Sequence, residues 1–481
     1  MLTQFRLQNF KTWQDTTSLR LAPITVFFGG NSSGKSSIGQ FLLMLRRTVE
    51  QPDRNMVFYT ADDQSNQSMM HLGSYSSYVF DGETQRDVAF ELNWKAEGWK
   101  TLIDPLHSRR HRWSQMKFSG KVGQMTDSER VVCKEFSYVL PERRVRMMTK
   151  SGPRIETVPE VRVSLERANG GDKCRLVTSE YKAKHSPGRA WPLPSPARFY
   201  GFPEELYSYF QNVAGFADLQ LELERVLKSI IYLGPLRQHP RPSYTWAGQA
   251  PSDVGFQGES TVAALLAGAE RSFNVGGKTR YAPLQQIVAR WLVKLGVAEN
   301  FEVECASKST HTYRTLLKMP GQKKPITLPG VGFGVSQVLP VVTQAFYAPH
   351  HSTIIIEQPE LHLHPAVQSE LADLFIEAIR TKEDGRERKV QFVIESHSEH
   401  FLRRLQRRVA EQALTPDDVA VYFCESPQDG TGSGIRPLEV DKFGRIKNWP
   451  QNFFGDAMTD VAEMRKAGLK REMAGAKGAK A

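Results

Sequence analysis

Apolar positions along the chain follow two rhythms, and the switches between them mark the elements. The opening MLTQFRLQNF alternates as a strand does, and Ile24-Thr25-Val26-Phe27-Phe28 is a short apolar run suited to a buried strand. After a glycine-rich loop, Ile38, Phe41, Leu42 and Leu45 recur at i, i+3, i+4 and i+7, one face of a helix. Residues 51–70 are polar and read as an exposed loop, whereas interrupted alternation over 79–94 and 158–177 predicts a β-rich stretch across 71–185. Pro187, Pro192, Pro194 and Pro196 punctuate a boundary, after which 203–231 reads as helical with Leu219, Leu221, Leu223 and Val226 as its apolar patch. The Gly/Pro-rich segment 232–258 is loop-like, and helices are predicted over 260–268 and 283–296. From 326 strands and helices alternate: a glycine loop, a helix, a strand at 352–356, a helix near 366–380, a strand at 390–394 and a helix from about 399. No internal repeat stands out, and no heptad run is long enough for a coiled coil.

Composition narrows the class. At roughly 150 residues per domain, 481 residues predict two or three domains, and 40% hydrophobic with 24% charged residues is a globular balance. Cys133, Cys174, Cys305 and Cys424 lie far apart with no CxxC pair, which argues against a disulfide framework or zinc finger and fits a reducing compartment. The best apolar run, 338–348, is interrupted by Thr343 and Gln344 and is too short to span a bilayer. With no signal-peptide-like centre at the N-terminus, a cytoplasmic protein is expected, with no membrane partner. The net charge of +11 is uneven. Residues 100–150 carry twelve Lys/Arg against five acids, residues 465–481 carry six against one, and the remainder is nearly neutral. A concentrated basic surface suits nucleic acid or an acidic protein, although such stretches are often only solvated faces.

Chemistry enters at Gly29-Gly30-Asn31-Ser32-Ser33-Gly34-Lys35-Ser36, a GxxxxGK[ST] pattern placed directly after a strand and before a helix. Gly29 and Gly34 permit backbone geometry that a Cβ would obstruct. The amides of Gly30, Asn31, Ser32, Ser33 and Ser37, with the helix N-terminus, can cradle a polyphosphate such as that of ATP. Lys35 can reach the β- and γ-phosphates, and the Ser36 hydroxyl is a natural Mg²⁺ ligand. Such a site needs a second strand ending in a carboxylate, and Ile354-Ile355-Ile356-Glu357-Gln358-Pro359-Glu360 supplies one.

Five segments, in this order, carry a resemblance: FRLQNFKTWQD, GGNSSGKSS, GVGFGVSQVLP (330–340), IIIEQPELHLHP (354–365) and IESHSEHFLRRL (394–405). Together they resemble the ABC-type AAA ATPases, which include OLD proteins and the heads of RecF and SMC proteins. The resemblance implies an α/β P-loop NTPase fold, with a β-rich lobe and a helical insertion between Walker A and Walker B. It places Glu357 at the Walker B position supporting Mg²⁺, and Gln358 where many relatives carry the catalytic glutamate. A glutamine can orient water but cannot act as a general base, so Glu360 becomes the nearest replacement and slow turnover is expected. His397 matches the switch histidine that senses the γ-phosphate. Gly332, Gly334 and Ser336 resemble the signature loop, which completes the site of a second protomer and implies a head-to-head homodimer around two ATPs, with higher assemblies open. No clear Q-loop glutamine appears near His71-Leu72-Gly73-Ser74-Tyr75, and the role of Tyr232-Leu233-Gly234-Pro235-Leu236-Arg237 does not follow from its residues.

His362 and His364 beside Glu357 and Glu360 could form a metal cluster, but the Walker B reading already accounts for the acids. On spacing alone His397 and His400 read as packed or capping residues; the ordered motif set favours the switch role for His397. The helix from Glu399 reads as core-packing, with arginines on a solvated face.

The expected organisation is a Walker A half (1–95), a basic β-rich lobe (96–200), a helical lobe (201–320), a Walker B half (321–455) and a basic tail (456–481). OLD nucleases continue into a Toprim domain, but no DxD pair occurs here, so no fused nuclease is expected. Similar stand-alone ATPases serve anti-phage systems such as the PARIS type, with a Toprim nuclease as partner. Two functions follow as expectations: a defence or toxin–antitoxin ATPase controlling a separate nuclease or toxin, or a DNA-maintenance ATPase clamping nucleic acid.

Overall fold

The computed structural model describes residues 1–60, 72–125, 128–149, 152–168, 171–188, 191–274, 281–426, 432–450 and 463–468. Its centre is a six-stranded sheet whose strands are numbered here in chain order: β1 (Ile24–Gly29), β2 (Ile230–Leu233), β3 (Thr353–Glu357), β4 (Gln391–Glu395), β5 (Val419–Glu425) and β6 (Gly434–Leu438). They lie in the order β2-β3-β4-β1-β5-β6, parallel except for the β5–β6 hairpin. The continuous apolar runs of β1, β3 and β4 are buried throughout most of their length, as strands covered on both faces require. In such sheets ligands bind beyond the carboxyl ends of the strands, beside the point where strand order reverses. Here the adjacent ends of β1, β4 and β3 mark that place.

Helix α1 (Lys35–Glu50) follows β1, and α2 (Phe333–Tyr347), α3 (Pro365–Arg380) and α4 (Glu399–Ala410) cover the opposite face. The run considered against a membrane span is the buried α2, whose Gln344 side chain accepts from the Val254 amide at 2.9 Å. No helix among the described residues is long and apolar enough to cross a membrane. On α4, Phe401, Leu402, Leu405 and Val409 are buried, while Arg404 and Arg408 both pair with Asp373 of α3.

A second, antiparallel sheet of eight strands lies over the outer face of α1. Its order runs Cys174–Ser179, Val161–Arg167, Val131–Leu140, Arg109–Gln124, Val88–Asp104, Leu2–Phe10 and Trp13–Asp15, with Leu19–Arg20 pairing on Leu2–Phe10. Phe41 of α1 meets Phe10 and Phe90 of this sheet with ring centroids 5.0 and 5.1 Å apart.

Three expectations change. The division at 95/96 falls inside Val88–Asp104, and the N-terminal strand belongs to the same sheet, because its inward residues share one aromatic core. The stretch 201–320 is mixed rather than helical. After the helix Phe216–Lys228 the chain enters β2 and later forms the antiparallel pair Asn300–Ser307 and Thr312–Lys318, because the apolar run Ile230–Leu233 finds β3 as a parallel neighbour. Leu221 is 61% exposed while Leu219, Leu223 and Val226 are buried, since helical spacing puts it on another face. His71 and most of the basic tail lie outside the described residues.

Candidate nucleotide site

The loop between β1 and α1 is held by close backbone approaches. Gly29 has φ +147°, and a Cβ there would lie 2.2 Å from the Cys424 carbonyl on β5. Gly34 has φ +86°, and its Cβ would stand 2.5 Å from Thr12 Oγ1 and 2.9 Å from the Trp13 ring. The Trp13 indole donates to the Gly34 carbonyl at 2.9 Å, so the opening hairpin buttresses the loop. Lys35 donates to the carbonyls of Gly29 at 3.1 Å and Gly30 at 2.6 Å. Burial lowers its pKa, and the Glu395 charge opposes that shift. These groups border a cavity of about 460 Å³ lined by Lys11, Thr12, residues 31–37, Gln40, Gln358, Glu395 and His397.

Three buried carboxylates converge behind and beside this cavity, each with a different partner. Glu357, at the end of β3, accepts from the Tyr232 hydroxyl. Burial, then the neighbouring Glu395 charge, push its pKa up to about 7. Glu360 accepts from Ser396 Oγ at 2.9 Å and from the His397 amide at 2.6 Å, so it fixes the turn that presents His397. Burial raises its pKa against these hydrogen bonds. Glu395, at the end of β4 and in register with Glu357, accepts from Ser36 Oγ at 2.7 Å and lies 4.0 Å from Lys35 Nζ. Burial raises its pKa too, opposed by Ser36 and Lys35.

Gln358 takes the left-handed region, with φ 44°, and its amide donates to the Glu395 carbonyl at 2.9 Å. A non-glycine residue held there signals a turn over-determined by its surroundings. Arg237 supplies that constraint. Its buried guanidinium donates to the carbonyls of Glu357 at 2.9 Å, Gln358 at 3.3 Å and Pro235 at 2.7 Å. Burial pushes its pKa down to about 10, against the pull of Glu360 and Glu357. His397 stands at the rim, open to solvent on one side. Desolvation on its other side, then the Lys35 charge, lower its pKa.

The cavity therefore gathers Asn31, Ser32, Ser33, Gly34, Lys35, Ser36, Ser37, Gln358 and His397, with Gly29 and Gly30 behind Lys35. Glu357 and Glu360 lie outside its lining, buried in hydrogen bonds to Tyr232, Ser396 and His397. Gly332 caps α2, Gly334 packs against the His362 carbonyl and Ser336 is buried in the first turn; none of the three lines the cavity. His364 Nδ1 accepts from the Ala366 amide and caps α3, and no group of three or more His, Cys, Asp or Glu among the described residues is placed to hold a metal. Glu395 and Trp13 have no role in the sequence reading, and Tyr232 and Arg237 stand out there only as ends of a segment of open role. Their signals were present: an acid closing an apolar run one residue before Ser396-His397-Ser398, a tyrosine and arginine bracketing Gly234-Pro235, and a tryptophan in the opening segment.

Parallel strands, a phosphate loop entering a helix, and acids at the neighbouring strand ends define a P-loop ATPase fold. Residues 282–402 match the AAA ATPase domain family AAA_15, and residues 414–464 match DUF3696, a family described as of unknown function. Among solved structures, the SMC head domain from Thermotoga maritima aligns over 91% of this chain and 99% of its own at 11% identity and TM-score 0.39. An SMC head bound to the C-terminal winged-helix domain of ScpA aligns over 92% and 98% at 12% identity and TM-score 0.44. A third, the Smc head with extended coiled coil from Pyrococcus furiosus, covers 96% and 99% at 11% identity and TM-score 0.42. No curated protein matches the chain. Residues 282–402 are thus similar to an AAA-type ATPase domain, within a P-loop fold.

Magnesium fits the residues at this site. Ser36 Oγ and a buried carboxylate converge within 2.7 Å, a hard-oxygen set that phosphate oxygens and water would complete. Ser36 and that carboxylate would hold the ion, which would supply charge neutralisation at the phosphate oxygens.

Proposed function

We propose that this chain is an ATP-operated switch of the ABC/SMC-head type, cytoplasmic, which closes head to head around Mg·ATP and controls a separate effector. The observation that carries the reading is the convergence of Lys35, Ser36 and a buried carboxylate at one phosphate loop. Lys35 exchanges its loop carbonyls for phosphate oxygens, the loop amides and the start of α1 hold the polyphosphate, and His397 meets the γ-phosphate from the rim. Gln358 orients water without accepting its proton, and Glu360 is committed to Ser396 and His397, so turnover is slow. In the dimer, the segment holding Gly332, Gly334 and Ser336 faces the other protomer's nucleotide. The resemblance to stand-alone defence ATPases supports a nuclease or toxin as the effector in an anti-phage or toxin–antitoxin system.

Light scattering tests the closure. The unsubstituted chain should double in mass with ATP and Mg²⁺, whereas Ser336→Arg should still bind ATP and stay monomeric. ATP-driven doubling by that variant removes the signature segment from the interface. Purification with the products of neighbouring genes tests the effector.

A second reading, a nucleic-acid clamp, is favoured by one surface. Trp99, 57% exposed, lies under Arg112 and Arg143, whose guanidinium carbons are 5.5 and 5.1 Å from its ring centroid. Arginine with an aromatic face is a combination that stacks on bases. ATP-dependent, salt-sensitive duplex binding without any partner would favour this reading over the first.

A further inference from the structure

The acid that sequence position selects for magnesium and the acid that reaches the phosphate loop are different residues. Glu357 and Glu395 end adjacent parallel strands in matched register. Glu357 is drawn away from the cavity: Tyr232 donates to its carboxylate, and its Oε1 lies at the α1 face, 4.0 Å from where a Cβ on Gly39 would stand. The same Cβ would lie 3.1 Å from Ile355 and 3.2 Å from Tyr232, so this part of α1 is in close contact with β3 and β2. Glu395 is also buried, yet it lines the cavity and accepts the Ser36 hydroxyl at 2.7 Å. Its backbone carbonyl takes the Gln358 amide, which ties its strand end to the turn carrying the water-orienting position.

Resting on the Mg·ATP reading above, we infer that Glu395, rather than Glu357, is the carboxylate that joins Ser36 in the magnesium shell, and that Glu357 is a buried anchor for Tyr232. Mg²⁺ takes one or two carboxylates together with phosphate oxygens and water, and it demands near-octahedral placement. A carboxylate already hydrogen-bonded to the P-loop serine is within reach of any cation that serine binds. The Glu357 carboxylate instead accepts from Tyr232 and does not line the cavity. The geometry thereby assigns the two acids separate tasks, and the pairing of Ser36 with Glu395 across 359 residues becomes a defining contact of the site.

The test measures magnesium without using turnover. The full chain is titrated with a fluorescent ATP analogue in Mg²⁺ and in EDTA, and Mn²⁺ occupancy is followed by electron paramagnetic resonance with the nucleotide present. Magnesium should tighten nucleotide binding by the unsubstituted chain by about tenfold or more. In Glu395→Gln that gain should fall to twofold or less, with affinity in EDTA unchanged within twofold and the bound Mn²⁺ signal lost. Glu357→Gln should keep both. Glu395→Asp, which retains the charge one methylene shorter, should keep part of the gain and carries the test if the glutamine variant does not fold. Full magnesium dependence in Glu395→Gln, or its loss in Glu357→Gln alone, overturns the assignment. Absence of nucleotide binding by the unsubstituted chain, with or without Mg²⁺, instead defeats the ATP reading on which the assignment rests.

Discussion

The antiparallel lobe and the carboxyl end of the central sheet use opposite means to hold their residues. In the lobe, Val88–Trp94 alternates buried and partly exposed positions without interruption, and the inward side is aromatic. Its charges pair along the surface, Lys117 with Glu91 and both Lys121 and Lys134 with Asp87. At the sheet end, Lys35, Glu357, Glu360, Glu395 and Arg237 are all buried within a few residues of one another in space or sequence, and Ser32, Gln358 and His362 take left-handed backbone. Burying charges is unfavourable unless each is paired or hydrogen-bonded. The lobe is thus organised by apolar burial, and the sheet end by a network whose members need one another. The contrast also divides the basic charge of 100–150: some of its lysines are matched inside the sheet, while Arg112 stands exposed at Trp99 and Arg109 and Arg110 are exposed farther along the same strand.

The sharpest way to break this contrast is Lys35→Ala. It should abolish nucleotide binding, weakening the fluorescent analogue by more than about 100-fold, or about 2.7 kcal/mol. Retained affinity would remove the network from function altogether. Trp13→Ala comes next, because Trp13 belongs to the antiparallel sheet yet holds Gly34. Loss of a fully buried tryptophan should cost about 3–5 kcal/mol in denaturant unfolding and weaken ATP binding as well; intact binding would make the two regions independent. Gln358→Glu should raise ATP turnover by about tenfold or more, measured as phosphate release, if a missing base limits the rate. No change would show that another group at the sheet end limits it. Smallest is Trp99→Ala at the lobe tip, which should shift stability by no more than about 1 kcal/mol and leave ATP affinity unaltered while weakening whatever docks there. A large loss of ATP affinity would contradict the division.

Legibility followed the same line. β1, α1, β3, α3 and β4 could be read nearly to their ends, because continuous apolar runs and helical spacing report burial directly. The phosphate loop could be read because backbone geometry dictates its glycines. β2 straddles the end of the expected helix 203–231 and the start of the loop-like 232–258, since four apolar residues fit either period until a neighbouring strand claims them. The acids were harder still. Residue type and order placed Glu357 and Glu360 near the chemistry, but which carboxylate faces the cavity depends on Tyr232, Ser396 and Ser36, contacts between residues far apart in sequence. The role of Arg237 stayed open for the same reason: the segment Tyr232–Arg237 stands out in the sequence, but its contact is with a turn more than a hundred residues away.

One consequence concerns modularity. Helix α1 contributes Phe41 to the aromatic core under the antiparallel sheet and Gly39 to the contact with β2 and β3, so it is a shared wall rather than the edge of a domain. Excising the lobe to obtain a minimal ATPase would strip the apolar covering from the helix that begins at Lys35. Variation is therefore affordable at the exposed hairpin turn around 105–110 and restricted toward its base, where Leu102 and Trp113 are buried. A chimera that exchanges lobes between related chains should join them within the exposed turn, because Ala96, Leu102 and Trp113 still belong to the shared core.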